Sequence, residues 1–267
     1  GDPLKDTSGP SLNILIKPED LERYAEGALR GFLLHLDGGQ RRFTDWALSG
    51  PTLVKGGPAK QAFEVAMGAV FGTAGPIDGH DFSGKTDPQI ARELLQISGL
   101  GDEEIDGGFQ QLWDTYLGEL EHRLTRNPMT VLPGVTTLLQ HLDALDDVAM
   151  GLLTGNIVQG ARLKLGSVGL EGFFSAGGYG SDSEFREQLP AVAIRRASQV
   201  WGVSFRPESV VVVGDTPRDV ACGKHAGTRT VAVATGRFPS ESLAESDPDQ
   251  VLQDLSDLEG TLNAMLD

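Results

Sequence analysis

VVVVGDTPRDV, residues 210–220, decides the fold. Its four consecutive valines are too apolar and too β-branched for a half-exposed strand, so they read as a central strand covered on both faces. Gly214 and Asp215 close the strand, a short loop follows, and Asp219 opens a helix. Working backward, VAMGLLTGN (148–156) repeats the pattern of an apolar run ending in a polar turn, and RTVAVAT (229–235) repeats the run downstream. Between and around these runs lie helical patterns: VTTLLQHLDAL (135–145), GARLKLGSVGL (160–170), PAVAIRRASQVWG (190–202) and RDVACGKHAG (218–227). Strands fed through helices of this length build right-handed βαβ units and a parallel sheet, so ligands are expected at the carboxyl ends of the strands.

The remainder of the chain reads differently. Residues 57–130 carry three helical patterns, PAKQAFEVAMGAVFG, DPQIARELLQISG and EEIDGGFQQLWDTYLGELEHRL, separated by Gly-rich turns, which predicts a helical insertion. KPEDLERYAEGALRGFLLHL, from residue 17, has Pro and two acids at a helix start with Leu21, Tyr24, Ala28 and Phe32 at helical spacing. The expected organisation is a loose tail or tag remnant over 1–17, a helix and first core strand over 18–56, a helical cap over 57–130, and an α/β core over 131–267.

Composition narrows the partners. The formal net charge of −16 disfavours nucleic acid and anionic membrane, because neutralising phosphates needs clustered Lys and Arg. A small-molecule partner is expected. No apolar run approaches the roughly 20 residues of a membrane span. The single cysteine, Cys222, permits no internal disulfide and fits a reducing, cytoplasmic setting, where it reads as a small core residue. Monomer and homodimer are both open.

Two stretches carry chemistry. Asp215 and Asp219 stand four apart at a strand end, a spacing at which two carboxylates can share a hard cation such as Mg2+. The competing reading has Asp219 capping its helix while Asp215 satisfies loop amides. In LLTGN, the Thr154 hydroxyl, the Gly155 backbone and Asn156 stand where a phosphate could be held near a helix N-terminus, although the same residues also suit a plain turn.

Taken together, Thr154 in LLTGN, Asp215 and Asp219 in VVVVGDTPRDV, the re-entry LPGVTTLLQHL and the loop GHDFSGKTDPQIARELL resemble the haloacid dehalogenase-like hydrolase superfamily, in its phosphoglycolate phosphatase-like and β-phosphoglucomutase-like members. The resemblance implies an α/β, Rossmann-like core with a parallel sheet, helices on both faces, and a small all-helical cap. It further implies a Mg2+-dependent phosphatase acting on a small phosphorylated metabolite through an aspartyl-phosphate. On that basis Asp215 and Asp219 would hold Mg2+ and Thr154 would bind the phosphoryl group. Arg186 matches the family's basic residue ahead of the helix leading to the metal strand, while Lys164, inside a helix, reads as structural. Lys85 and Thr86, in GKTD, match the cap's substrate loop, with His80 nearby.

The family's D-x-D-G-T motif departs from its pattern here. In ALSGPT, Thr52 fits the motif threonine, which puts Ala47 and Ser49 at the two carboxylate positions. A second alignment makes Asp45, in DWA, the nucleophile, and resembles phosphonoacetaldehyde hydrolase, whose imine-forming lysine would here be Lys85 or Lys55. A third uses FLLHLDGG, with His35 at the nucleophile position and Asp37 after it. Asp45 ranks first among the carboxylates. The alternative is a catalytically impaired protein of the same fold that binds phospho-ligand or metal without turnover, or a chain whose first 50 residues are altered relative to its relatives.

Overall fold

The computed structural model describes residues 12–16, 45–48, 53–56, 58–145 and 148–266. Its centre is a seven-stranded sheet. β1 (Leu12–Ile16) and β2 (Asp45–Leu48) lie in its middle; β5 (Val148–Thr154) and β6 (Ala176–Tyr179) form one wing, and β7 (Val210–Gly214), β8 (Arg229–Val233) and β9 (Gln250–Leu252) the other. The order is β6-β5-β1-β2-β7-β8-β9. β1 runs antiparallel to both neighbours, and every other pairing is parallel. The carboxyl ends of β2 and β5 to β9 therefore share one edge of the sheet. β7 is buried at all five positions, as its valines require.

Helices α4 (Val135–Asp143), α5 (Val158–Gly166), α6 (Leu189–Trp201), α7 (Pro217–His225), α8 (Ser240–Ala244) and α9 (Leu258–Leu266) accompany these strands. A second unit comprises α1 (Ala59–Phe71), α2 (Asp87–Ile97) and α3 (Asp102–Leu124). The buried residues of α1, Ala59, Ala62, Phe63, Ala66 and Met67, recur at helical spacing, and Phe63 meets Tyr116 of α3 edge-on at 5.3 Å between ring centroids. The two chain crossings between this unit and the core pair as a short antiparallel ribbon of β3 (Val54–Lys55) and β4 (Thr130–Val131). Apolar residues of α1 to α3 continue without a break into those of α4, α5 and β5, so the helical unit rests on the core as a lid rather than on a core of its own.

Two expectations need correcting. Leu12–Ile16 is a sheet strand, not part of a loose tail; its alternation of Leu12, Ile14 and Ile16 is a strand pattern that the polar residues before it obscure. The sheet is accordingly parallel except for β1. The helix expected from residue 17, with Asp37, lies outside the described residues.

Candidate active site at the carboxyl edge of the sheet

The lid segment 80–87 bridges the ends of β5 and β7. A Cβ on Gly84 would stand 2.7 Å from the Thr216 hydroxyl, and a Cβ on Gly155 would stand 2.1 Å from the Lys85 carbonyl oxygen. Consecutive lid residues thus touch the two strand ends, which brings the Thr154 and Asp215 loops under one cover.

On the β5 side every polar group is engaged. Thr154, Asn156, Lys164 and Asp87 are all buried. The Thr154 hydroxyl oxygen accepts from the Asn156 backbone N–H at 3.1 Å and from its side-chain amide at 2.9 Å. Lys164 on α5 donates to Asn156 Oδ1. Asp87, the first residue of α2, donates its N–H to the Gly155 carbonyl at 2.7 Å and accepts from the Ile157 N–H at 2.9 Å. The Val158 N–H donates to Ser181 Oγ at 3.2 Å. The N-terminus of α5 was expected to supply amides for an anionic ligand; instead the amides of residues 156–158 are given to Thr154, Asp87 and Ser181. The Asp87 carboxylate takes the anion's place there, where a helix terminus favours negative charge. Burial raises the Asp87 pKa, with Lys164 and the Ile157 amide opposing. Burial lowers Lys164 to about 8, with Asp87 opposing.

On the β7 side, Asp215 and Asp219 are both about 1% exposed. Thr216 and Asp219 form a reciprocal capping box at the start of α7: Asp219 Oδ2 accepts from the Thr216 N–H at 3.0 Å and from its hydroxyl at 2.8 Å. Asp219 Oδ1 accepts from Arg186, which reaches across from the turn ahead of α6. Burial works against the Arg186 charge, yet Asp219 beside it holds its pKa above the ordinary value. The capping reading of Asp219 is therefore the one its contacts match, with the ion pair added.

The metal expectation can be weighed on the same contacts. Among the described residues no three His, Cys, Asp or Glu side chains cluster tightly enough to hold a cation. Both Asp219 oxygens are spent on Arg186 and Thr216, so it does not fit a directly bound ion. Asp215 lies against Gly236, where a Cβ would come within 1.9 Å of its Oδ2. Mg2+ often takes only one or two carboxylates and completes its shell with water and phosphate oxygens, so Asp215 fits as a single ligand.

Asp45 does not reach this edge. The parallel register sets Asp45 beside Val210 and Leu48 beside Val213. Asp45 thus begins its strand five positions below the level of Asp215, roughly 16 Å along the sheet. The choice of Asp45 as nucleophile followed the motif spacing to Thr52, which carries no information about register. Residues 49–52 lie outside the described residues.

The lid residues chosen from sequence are engaged with other groups of the protein. Lys85 donates to Glu93, which also lies 3.1 Å from His80 Nε2. Burial and the adjacent Lys85 lower the His80 pKa. The Thr86 hydroxyl caps α2 and donates to the Glu184 carbonyl at 2.8 Å. Lys55 is exposed on β3. Sequence reading passed over the groups that fasten the lid: Asp87, hidden in a Thr-Asp-Pro helix start; Arg92, whose guanidinium pairs with Glu184; and Asp81, which accepts from Arg218 and Arg237 at 2.9 Å each. Burial tends to raise the Asp81 pKa, but Arg218 and Ser83 outweigh it and hold the group at about 2.

A family model described as HAD-hydrolase-like matches residues 189–258. A phosphoglycolate phosphatase of Synechococcus elongatus is 33% identical over 132 residues, covering 49% of this chain and 58% of that protein. The pyrophosphatase PpaX of Anoxybacillus flavithermus is 33% identical over 109 residues, covering 41% of this chain and 49% of that protein. The chain thus spans about half the length of these curated relatives. A hydrolase of the haloacid dehalogenase-like family from Streptococcus pneumoniae superposes with a TM-score of 0.52 at 15% identity, over 79% of this chain and 93% of that one. No helix among the described residues is long and apolar enough to cross a membrane.

Proposed function

Because the chain belongs to the haloacid dehalogenase-like hydrolase superfamily, we propose that it removes a phosphoryl group from a small phosphorylated metabolite. The observation that carries this reading is the pair of lid residues, Gly84 and Lys85, seated against Thr216 and Gly155, so that one lid segment covers the loops that follow β7 and β5. In this reading Thr154 donates to a phosphoryl oxygen. Asp219 holds Arg186 so that its charge faces the same edge. Asp215 holds Mg2+, which when bound offsets negative charge on the transferring group. The closed lid excludes water, strengthening each of these interactions. The relatives' names, phosphoglycolate phosphatase and pyrophosphatase, put phosphoglycolate and pyrophosphate first among substrates to try. The net charge of −16 also favours a small ligand over a polyanion.

The register of β2 favours a second reading, in which the protein binds phospho-ligand without turnover. Ala47 and Leu48, neither of them a carboxylate, end that strand beside Val212 and Val213. One experiment separates the two. Phosphate release is measured from a panel of phosphomonoesters and pyrophosphate with and without Mg2+, for the wild-type chain and Asp215→Asn. Hydrolysis that requires Mg2+ and is lost in the variant supports the enzyme. Folded protein that binds phosphate by calorimetry but releases none supports the binding protein.

A further inference from the structure

Arg186 is delivered to the site by a segment with little packing of its own. Of residues 181–188 only Arg186 is buried, and Phe185 beside it is 59% exposed. A stretch with so few buried apolar contacts is held by its polar bonds and opens when they are lost. One end is tied to the core, where the Asp182 carboxylate accepts two bonds of 2.6 Å from Arg196 of α6; the other runs into α6 at the buried Leu189. Between them, Glu184 is gripped by the lid. Its carbonyl oxygen accepts from the Thr86 hydroxyl at 2.8 Å, and its carboxylate accepts from Arg92 Nε at 3.0 and 2.9 Å and from Nη2 at 2.7 Å. Such a two-pronged pairing of planar groups fixes direction as well as distance. Arg92 is in turn anchored to α3: Nη1 donates to Asp102 at 3.0 Å, Nη2 to Asp106 at 2.6 Å, and the guanidinium lies 5.2 Å from the centre of the Phe109 ring. One side chain thus ties α2 and α3 of the lid to a core residue two positions ahead of Arg186.

We propose that Arg92 is a positioning residue that makes the placement of Arg186 depend on the closed lid: through Glu184 it sets the turn that carries Arg186 to Asp219. The inference rests on the part given to Arg186 under the proposed function and adds to it a lid residue that acts through another group. With the lid seated, Thr86 and Arg92 fix Glu184, the turn over 184–188 follows, and the Arg186 guanidinium meets Asp219. With the lid displaced, Glu184 loses both holds and the turn is left to its two ends. The side chains of Arg92 and Glu184 are 22% and 27% exposed, so water screens their pairing only in part. The lid then does more than cover the edge, because the site cation is set in place by the same closure that shuts water out.

The test uses the full chain as wild type, Arg92→Met, Arg92→Lys, Glu184→Ala and the Arg92→Met, Glu184→Ala double variant. Glu184→Ala cuts the link from the core side and leaves the bonds of Arg92 to α3 in place, so it decides the matter should Arg92→Met unfold the lid. Hydrogen exchange over residues 183–188 is expected to rise roughly five- to thirtyfold in either single variant, the size of one partly screened charged pair. Arg92→Lys keeps one charged donor and should fall between them and wild type. The double variant should exchange no faster than the singles, since both changes remove one interaction. The second readout follows position rather than stability. The Arg186 Nε–H resonance, identified by its loss in Arg186→Lys, is expected to shift in Arg92→Met and in Glu184→Ala. Wild-type exchange over 183–188, or an unmoved Arg186 resonance, in folded Glu184→Ala overturns the proposal. If the resonance shifts while the wild-type chain releases no phosphate from any ester, the coupling stands and the phosphatase reading falls. If the wild-type chain releases phosphate and the resonance does not move, the phosphatase reading stands and the coupling falls.

Discussion

Replacing Gly155 with alanine is expected to lift the lid. The new Cβ would stand 2.1 Å from the Lys85 carbonyl oxygen, 2.9 Å from the carbon behind it and 2.9 Å from Thr86 Cα, against the 3.4 Å at which ordinary contact begins. All three atoms are backbone, so no side chain can swing aside, and the lid segment must retreat by more than an ångström. That displacement breaks the 2.7 Å bond from the Asp87 N–H to the Gly155 carbonyl and strains the 2.9 Å bond from the Ile157 N–H to Asp87. Overpacking in a closed interior costs about 1–3 kcal/mol, and each hydrogen bond about 1 kcal/mol more, so a loss of about 2–4 kcal/mol is expected. Urea denaturation measures the loss. Limited proteolysis locates it, with faster cleavage within residues 80–87 than in the wild-type chain. A Gly155→Ala chain with wild-type stability and an equally resistant lid would refute the claim that this glycine is the seat of the lid.

Three further outcomes follow from other contacts. Arg186→Met strands the buried Asp219 carboxylate and should cost about 3–5 kcal/mol in urea denaturation, while adding Asp219→Asn should recover most of it; equal stability of the two variants would show that the pair carries no such coupling. Asp81→Asn, or high salt, should loosen the lid and raise hydrogen exchange over residues 80–87, but by less than about 1 kcal/mol, because the groups are 40–52% exposed and screened by solvent. Since the Asp81 pKa is lowered to about 2, the latch is fully present above the ordinary carboxylate value and is lost as pH falls through about 2; lid exchange that ignores salt and low pH alike would exclude it. Burial pushes the Cys222 thiol up to about 12, against the opposing Arg186, so iodoacetamide at pH 8 should modify the chain only after unfolding, and rapid labelling of native protein would contradict the packing around α7.

Much of the architecture was legible because it depends on local pattern. Four valines in a row can only be covered on both faces, and β7 is. The helical periods of α1 to α3 lie in the chain as plainly as in the fold. β6, written AGGY, was not legible. Its glycines have poor strand propensity and are suited to the place by contact alone: a Cβ on Gly178 would come within 2.4 Å of the Leu189 carbonyl oxygen, and one on Gly177 within 2.6 Å of that of Leu152. β1 was missed for a different reason, its five residues being set among polar neighbours whose composition outweighed the alternation.

By itself the sequence determined which residue types stand at the ends of the strands: a threonine and an asparagine after one, two aspartates after another, an arginine before the helix that separates them. Those follow from period, turn chemistry and spacing, all of which act over a few residues. Only the tertiary structure decided what each group does with its charge. Asp219 is bound to an arginine 33 positions away, Asp87 to an amide 70 positions away, and Asp81 to arginines 137 and 156 positions away. Register, likewise a relation between distant segments, separated Asp45 from the edge where Asp215 lies. Electrostatic pairing depends on distance in space, and a linear spacing carries no record of it until the chain is folded.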